Sequence, residues 1–234
     1  MKGILYLIPT TLSDAPPERV MPSGNSAIVS GIRFFVVENI RTARRFLKLM
    51  NPETEIDTLT FFELNTHTPA EEKSVFLQPL HDGYDVGILS EAGCPAVADP
   101  GAEIVSMAQA CGIRVAPLVG PSSILLALMG SGFNGQRFAF EGYLPIDRQA
   151  RTSRLKQLEK RISSEQQTQI FIETPYRNRV LIEDMLRTLQ PATKLCIAAD
   201  LTADSQFLQT KTIAQWREHL PDVHKRPCIF LLYQ

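Results

Sequence analysis

The chain lacks a long uncharged apolar run, an excess of charge of either sign and any paired cysteines. Its first apolar stretch, MKGILYLIPT, carries one lysine and is too short to form the apolar core of a leader peptide, let alone to span a bilayer. It reads as an opening β-strand, and the expectation is a cytoplasmic protein with no membrane attachment. Lys plus Arg number 24 against 25 Asp plus Glu, a net charge of −1. That balance excludes a protein gripping nucleic acid over its whole surface but leaves room for a local basic patch. The four cysteines, Cys94, Cys111, Cys196 and Cys228, form no C-x-x-C pair and stand at no metal-ligand spacing to His67, His81, His219 or His224. They read as isolated buried thiols of a reducing compartment, and no metal is expected. There is no G-x-x-x-x-G-K-[ST] loop and no G-x-S-x-G elbow, so P-loop hydrolysis and a serine nucleophile lose their usual warrants. Aromatic residues form no array of the kind that stacks on single strands. No repeat or low-complexity segment stands out.

What is present is ordinary soluble composition, 44% hydrophobic and 21% charged. Apolar runs of strand length alternate with stretches of helical period. GILYLIP, RFFVVEN, TLTFFEL, YDVGILS and IRVAPLV read as strands, and IRTARRFLKLM and PAEEKSVFLQPLHDG as helices. The second of those helices opens on a capping box, Thr68 to Glu71, with Pro69 at its first position. Asp99 caps a further helix with Pro100 in its first turn. Ile104, Val105, Ala108 and Cys111 form that helix's buried face, and Gly112 ends it. Strands that are apolar throughout imply a parallel sheet covered on both faces. A second series follows: the helix SILLALM, the strand RFAFEGYLP, a charged helix from Arg148 to Ile162, then TQIFIET, PYRNRVLIEDMLRTL, KLCIAADL, TIAQWREHL and CIFLLY. The class is α/β, in two domains, 1–117 with a largely parallel sheet and 118–234 with a mixed one. GSGFNG, Gly130 to Gly135, fits G-x-G-x-x-G by letter. A helix precedes it and a strand follows, the reverse of a dinucleotide fingerprint, so it reads as a helix end and turn.

In an open parallel sheet, ligands sit beyond the carboxyl ends of the strands. Three such ends are built of small residues, proline and polar groups: IPTT, SEAGCPAVADPG and VGPSS. Gly93, Gly101 and Gly120 let backbone approach a ligand closely. Ser122 and Ser123 offer hydroxyls at a helix start, and Glu91 suits a cationic centre. Each turn taken alone is also compatible with an ordinary capped connection.

SEAGCPAVADPG, LVGPSSIL, FEGYLP and IETPYR, in this order, resemble the tetrapyrrole methylase superfamily of S-adenosylmethionine enzymes, closest to the branch methylating a ribose 2′-oxygen of small-subunit ribosomal RNA. The resemblance covers nearly the whole chain. It implies two α/β domains with the methyl donor in the cleft between them, S-adenosylmethionine as cofactor, RNA as partner and a homodimer. Carried over by position, it implies a donor site of Pro9, Ser90, Glu91, Ala92, Gly93, Cys94, Pro95, Val119, Gly120, Ser122 and Ser123, joined by Tyr176, Ala199 and Pro227. It assigns no catalytic residue. Three motifs depart from the branch pattern: T-P-I-G-N is TTLSD here (Thr10 to Asp14), E-D-T-R is ENIR (Glu38 to Arg41), and A-R-E-L-T-K is AADLTA. All three bear on the acceptor side.

Two basic stripes, Arg41/Arg44/Arg45/Lys48 and Arg148/Arg151/Arg154/Lys156/Lys160/Arg161, would meet phosphates if they face the substrate and are solvated helix faces otherwise. A methylated hydroxyl must lose its proton, and Glu38 and Glu173 are the carboxylates nearest the relevant motifs. The structural reading pairs Glu38 with Arg41 or Arg44 and sets Glu173 beside a helix start. The leading expectation is an RNA methyltransferase. The alternatives are methylation of a small molecule such as a tetrapyrrole precursor, which predicts an enclosed apolar site, and a non-catalytic module that binds S-adenosylmethionine.

Overall fold

A computed structural model of the chain describes residues 1–65 and 68–234. His67 therefore lies outside the described residues. The chain divides into two compact units, Met1–Ser122 and Ser123–Gln234.

The first unit runs β1 (Ile4–Ile8), α1 (Gly24–Ser30), β2 (Phe34–Val37), α2 (Ile40–Met50), β3 (Thr60–Glu63), α3 (Ala70–Val75), α4 (Gln78–His81), β4 (Val86–Leu89), α5 (Gly101–Ala110) and β5 (Arg114–Pro117). Its five strands are all parallel, in the order β3-β2-β4-β1-β5. The central strand β4 is buried along its length and β2 along all but its first residue, as the unbroken apolar runs require, and helices pack both faces. One buried cluster gathers Leu5, Val36, Leu80, Ile88 and Ile104, and the other Ile8, Phe35, Phe46, Leu47 and Leu89.

Two local expectations fail here for identifiable reasons. The helix read from Pro69 to Gly83 breaks into α3 and α4. Pro79, in the first turn of α4, has no N–H and its ring would strike the carbonyl of Val75, the last residue of α3. The capping box does not close either. Thr68 lies one residue before the cap position, which Pro69 holds, and its hydroxyl accepts from the Asn65 N–H at 2.9 Å instead.

The second unit runs α6 (Ser123–Ser131), β6 (Phe138–Tyr143), α7 (Arg148–Glu165), β7 (Thr168–Glu173), α8 (Asn178–Thr188), β8 (Lys194–Ala199), β9 (Phe207–Thr212), α9 (Ile213–Glu218) and β10 (Cys228–Tyr233). The sheet order is β6-β7-β10-β8-β9, parallel between β6 and β7 and antiparallel elsewhere. Its core joins Leu155, Leu158, Phe171, Met185, Trp216 and Phe230. Gly132, just past α6 and at φ 74°, closes the helix before β6, which settles GSGFNG as a turn. Among the described residues no helix is long and apolar enough to cross a membrane.

Candidate functional site

The carboxyl ends of β1, β2 and β4 finish at one level, because Leu89 is in register with both Ile8 and Val37. Neighbouring strands lie about 4.8 Å apart, so Pro9, Glu38 and Ser90 leave the sheet side by side. The loops that follow are then stitched together. Thr10 and Gly93 form an antiparallel bridge, Thr10 N–H to Gly93 O at 2.9 Å and Gly93 N–H to Thr10 O at 3.2 Å. Ser90 Oγ donates to the same Gly93 carbonyl at 3.0 Å. Cys94 Sγ donates to Pro121 O at 3.5 Å, joining the loop after β4 to the one after β5. Gly120 lies against Pro9 so closely that an added Cβ would stand 2.3 Å from the proline Cβ. Asn25 of α1 donates to the Val119 carbonyl at 2.8 Å, fixing that peptide while its side chain stays exposed.

Within the loop after β4, Ala96 and Ala98 sit at φ 66° and 59°. Left-handed backbone costs a residue with a Cβ about 1–2 kcal/mol. Asp99 offsets the strain: its Oδ1 accepts from Ala96 N–H at 3.1 Å and from Gly101 N–H, the first of α5, at 2.6 Å. The cap position itself is held by Pro100, so Asp99 stands one residue before the cap expected of it. Asp99 Oδ2 is buried and unpartnered.

Glu38 does not pair with Arg41 or Arg44. Arg44 is held by Asp57 at 2.5 Å, and Glu38 faces carboxylates. Burial chiefly, then the Asp99 charge, raises its pKa above the ordinary 4.5; a hydrogen bond from the Glu91 N–H works the other way. Asn39 caps α2 by accepting from Arg41 N–H at 2.9 Å and Thr42 N–H at 3.3 Å, which an aspartate would do equally. Replacing the acid of E-D-T-R by Asn39 thus preserves the helix start. Thr42 Oγ1 donates to Glu91 Oε1 at 2.6 Å, tying α2 to the loop after β4.

In the second unit the predicted residues also meet locally. Ala199 is in register with Cys228, and Asp200 N–H bonds to Pro227 O at 3.0 Å. Lys225 N–H bonds to Pro175 O at 3.1 Å, beside the exposed Tyr176. Ser122 is the last residue of the first unit and Ser123 the first of α6. Glu173 is buried against Arg177 at 2.6 Å and accepts from Thr174 N–H, so it is committed to the helix start.

The basic stripe of α7 is mostly neutralised. Arg151 and Arg148 both pair with the buried Asp184, and Arg154 and Arg161 both pair with Glu141. The cysteine expectation holds for Cys196 and Cys228, which are buried, whereas Cys94 is half-buried and Cys111 exposed. Cys111 falls just past the last turn of α5, where the helix no longer covers it.

The chain is thus an α/β protein, a parallel-sheet unit followed by a mixed-sheet unit, with glycine-bearing loops joined at the strand ends of the first, a fold found among solved structures. Diphthine synthase shares the fold at TM-score 0.70, covering 99% of this chain and 90% of that one at 12% identity. Uroporphyrin-III-C-methyltransferase from Thermus thermophilus does so at 0.57, covering 100% and 93% at 17% identity. No protein-family model matches the chain. It is similar to the ribosomal RNA small subunit methyltransferase I of Vibrio cholerae, 29% identical over 91% of this chain and 69% of that protein. The protein of that name from Synechocystis sp. is 30% identical over 94% of this chain and 76% of its own length. The chain belongs to the ribosomal RNA small subunit methyltransferase I family.

Proposed function

We propose that this chain transfers the methyl group of S-adenosylmethionine to RNA, at a ribose 2′-oxygen of the small-subunit ribosomal RNA. Membership of the family, found along nearly the whole chain, carries the reading. The local geometry fits the donor. Gly93 and Gly120 keep backbone free of Cβ where the strand-end loops join, and Glu91 presents an exposed carboxylate suited to a sulfonium. Pro9, Ser90 to Pro95, Val119, Gly120 and Ser122 are assigned to the donor in the first unit, and Ser123, Tyr176, Ala199 and Pro227 in the second.

When bound, S-adenosylmethionine supplies an electrophilic methyl carbon. The contribution of the chain is alignment. The Thr10–Gly93 bridge and the Pro9–Gly120 contact hold the loops rigid, and a fixed in-line geometry is worth much of a displacement's acceleration. Glu38, with its raised pKa, is a better proton acceptor than an ordinary carboxylate. Glu173 is withdrawn from that role by its ion pair with Arg177. The resemblance adds a cytoplasmic homodimer, which sedimentation of the purified chain tests.

The decisive assay incubates the chain and labelled S-adenosylmethionine with small subunits from cells lacking it. Label in the ribosomal RNA at an alkali-resistant linkage is expected, since a 2′-O-methyl group removes the nucleophile of strand cleavage. Label confined to small molecules would transfer the reading to the tetrapyrrole alternative. Donor binding without transfer to any cell fraction would leave a binding module.

A further inference from the structure

Two of the residues in which this chain departs from its branch, Thr11 and Asp14, line a pocket of the first unit, of about 170 Å³, at the ends of β1, β2 and β4. Thr10, Thr11 and Asp14 come from the TTLSD loop, Thr42 and Arg45 from the helix that ENIR starts, and Glu91 from the donor loop. Thr10 is 5% exposed, and its Oγ1 is buried with no hydrogen-bond partner. A buried hydroxyl left unmet costs about 1–3 kcal/mol, and Thr10 lines the pocket, so a ligand's polar atom that reaches this hydroxyl removes that cost. Arg45 and Asp14 line the same pocket without an ion pair or side-chain hydrogen bond among the described residues, whereas Arg44 next door is paired with Asp57. Glu91 is oriented by Thr42 through one oxygen, which leaves lone pairs on the other.

This donor and acceptor set has a definite chemistry. The Asp14 carboxylate, which only accepts, matches a hydroxyl group, and the Thr10 hydroxyl completes the set, while Glu91 stays with the methyl donor. Arg45, exposed on α2, matches a phosphate. The pocket is smaller than the roughly 300 Å³ at which whole-ligand sites begin, so it takes a sugar-sized group. We propose that it is a ribose–phosphate pocket that selects RNA over DNA, with Asp14 and Thr10 reading a ribose hydroxyl and Arg45 holding the adjoining phosphate. This rests on the RNA reading above and specifies how that substrate is recognised.

The test measures fluorescence anisotropy of a ten-nucleotide mixed-sequence RNA and of the DNA of the same sequence, with S-adenosylhomocysteine present. Wild type is expected to favour RNA by roughly tenfold, the scale of one hydrogen bond to a charged group. Asp14→Asn and Thr10→Val should bring the RNA:DNA ratio towards 1 while leaving DNA binding unchanged. Arg45→Ala should weaken both and lower the salt slope by about 1, the signature of one lost phosphate contact. Arg44→Ala should do neither. Asp14 and Arg45 are exposed, so their variants test the pocket independently of folding at the buried Thr10. A wild type without RNA preference, a ratio untouched by Asp14→Asn, or an equal slope change in Arg44→Ala would overturn the pocket. Ribosomal RNA methylation by the wild type, measured in parallel, shows whether the functional reading stands when the pocket does not.

Discussion

The basic stripes of α2 and α7 look alike along the chain and are used in opposite ways. On α7, Arg151 is buried, donates two bonds to Asp184 and two more to the carbonyls of Pro145 and Ile146, and so closes the core of the second unit. On α2, Arg45 stands at a pocket rim with no ion pair among the described residues. The difference lies in the acids that the fold brings to each helix: Asp184 and Glu141 reach α7 from α8 and β6, whereas Asp57 reaches only Arg44 of α2. A run of positive charge therefore signals a nucleic-acid contact only after its intramolecular partners have been counted.

The largest expected effect is on α7. Asp184→Ala strands a buried guanidinium, and chemical denaturation should show a loss of about 3–5 kcal/mol. A loss under 1 kcal/mol would mean that Arg151 reaches water and that the two stripes are alike after all. Next in size is Gly120→Ala. The added Cβ meets Pro9, and overpacking of this kind costs about 1–3 kcal/mol. Calorimetric titration should show S-adenosylmethionine affinity falling more steeply than overall stability, because the displaced loop is one assigned to the donor. Unchanged affinity would remove Gly120 and Pro9 from the assignment.

Glu38→Gln tests the acid cluster that has no counterpart in the second unit. With the folded-state pKa of Glu38 raised above 4.5, the fold holds a proton there that the unfolded chain releases. The wild type is therefore unpenalised below about pH 4.5 and loses stability as pH rises through the folded-state value. The glutamine variant should melt higher than wild type at pH 8, and the gap should close by pH 4. A gap independent of pH would show that Glu38 is ionised in the fold without cost. The smallest effect is on the thiols. With a disulfide reagent, Cys111 should react first and Cys94 more slowly. Cys196 and Cys228 should react only on unfolding, since burial raises both and carries Cys228 up to about 12.

Much of this architecture is readable from local patterns. The strands of the first unit announce themselves because a parallel sheet covered on both faces needs unbroken apolar runs, and FFVV and VGIL supply them. The loops that gather at the strand ends are visible because small residues and prolines cluster there. Other elements leave weaker traces. In α1, GNSAIVS begins with glycine and includes two β-branched residues, so its helical propensity is low. In β9, FLQTKT is an edge strand, four of its six residues polar. Pro79 was a legible signal for the break between α3 and α4 because its cost is local and steric. The cap at Asn39 was equally legible, being a short polar side chain directly before a helix.

The sequence by itself determined the class of fold, the loops that would gather at the strand ends, and the family, because these follow from periodicity, turn chemistry and ordered motifs. Only the tertiary structure decided which charges are spent inside the fold and which face outward. The register Ile8–Leu89–Val37 sets Glu38 and Ser90 side by side, and the packing of the loops leaves the Thr10 hydroxyl without a partner. Such pairings join residues fifty or more positions apart, as Glu38 and Asp99 are. Their energy depends on distance and burial, which no stretch of sequence contains.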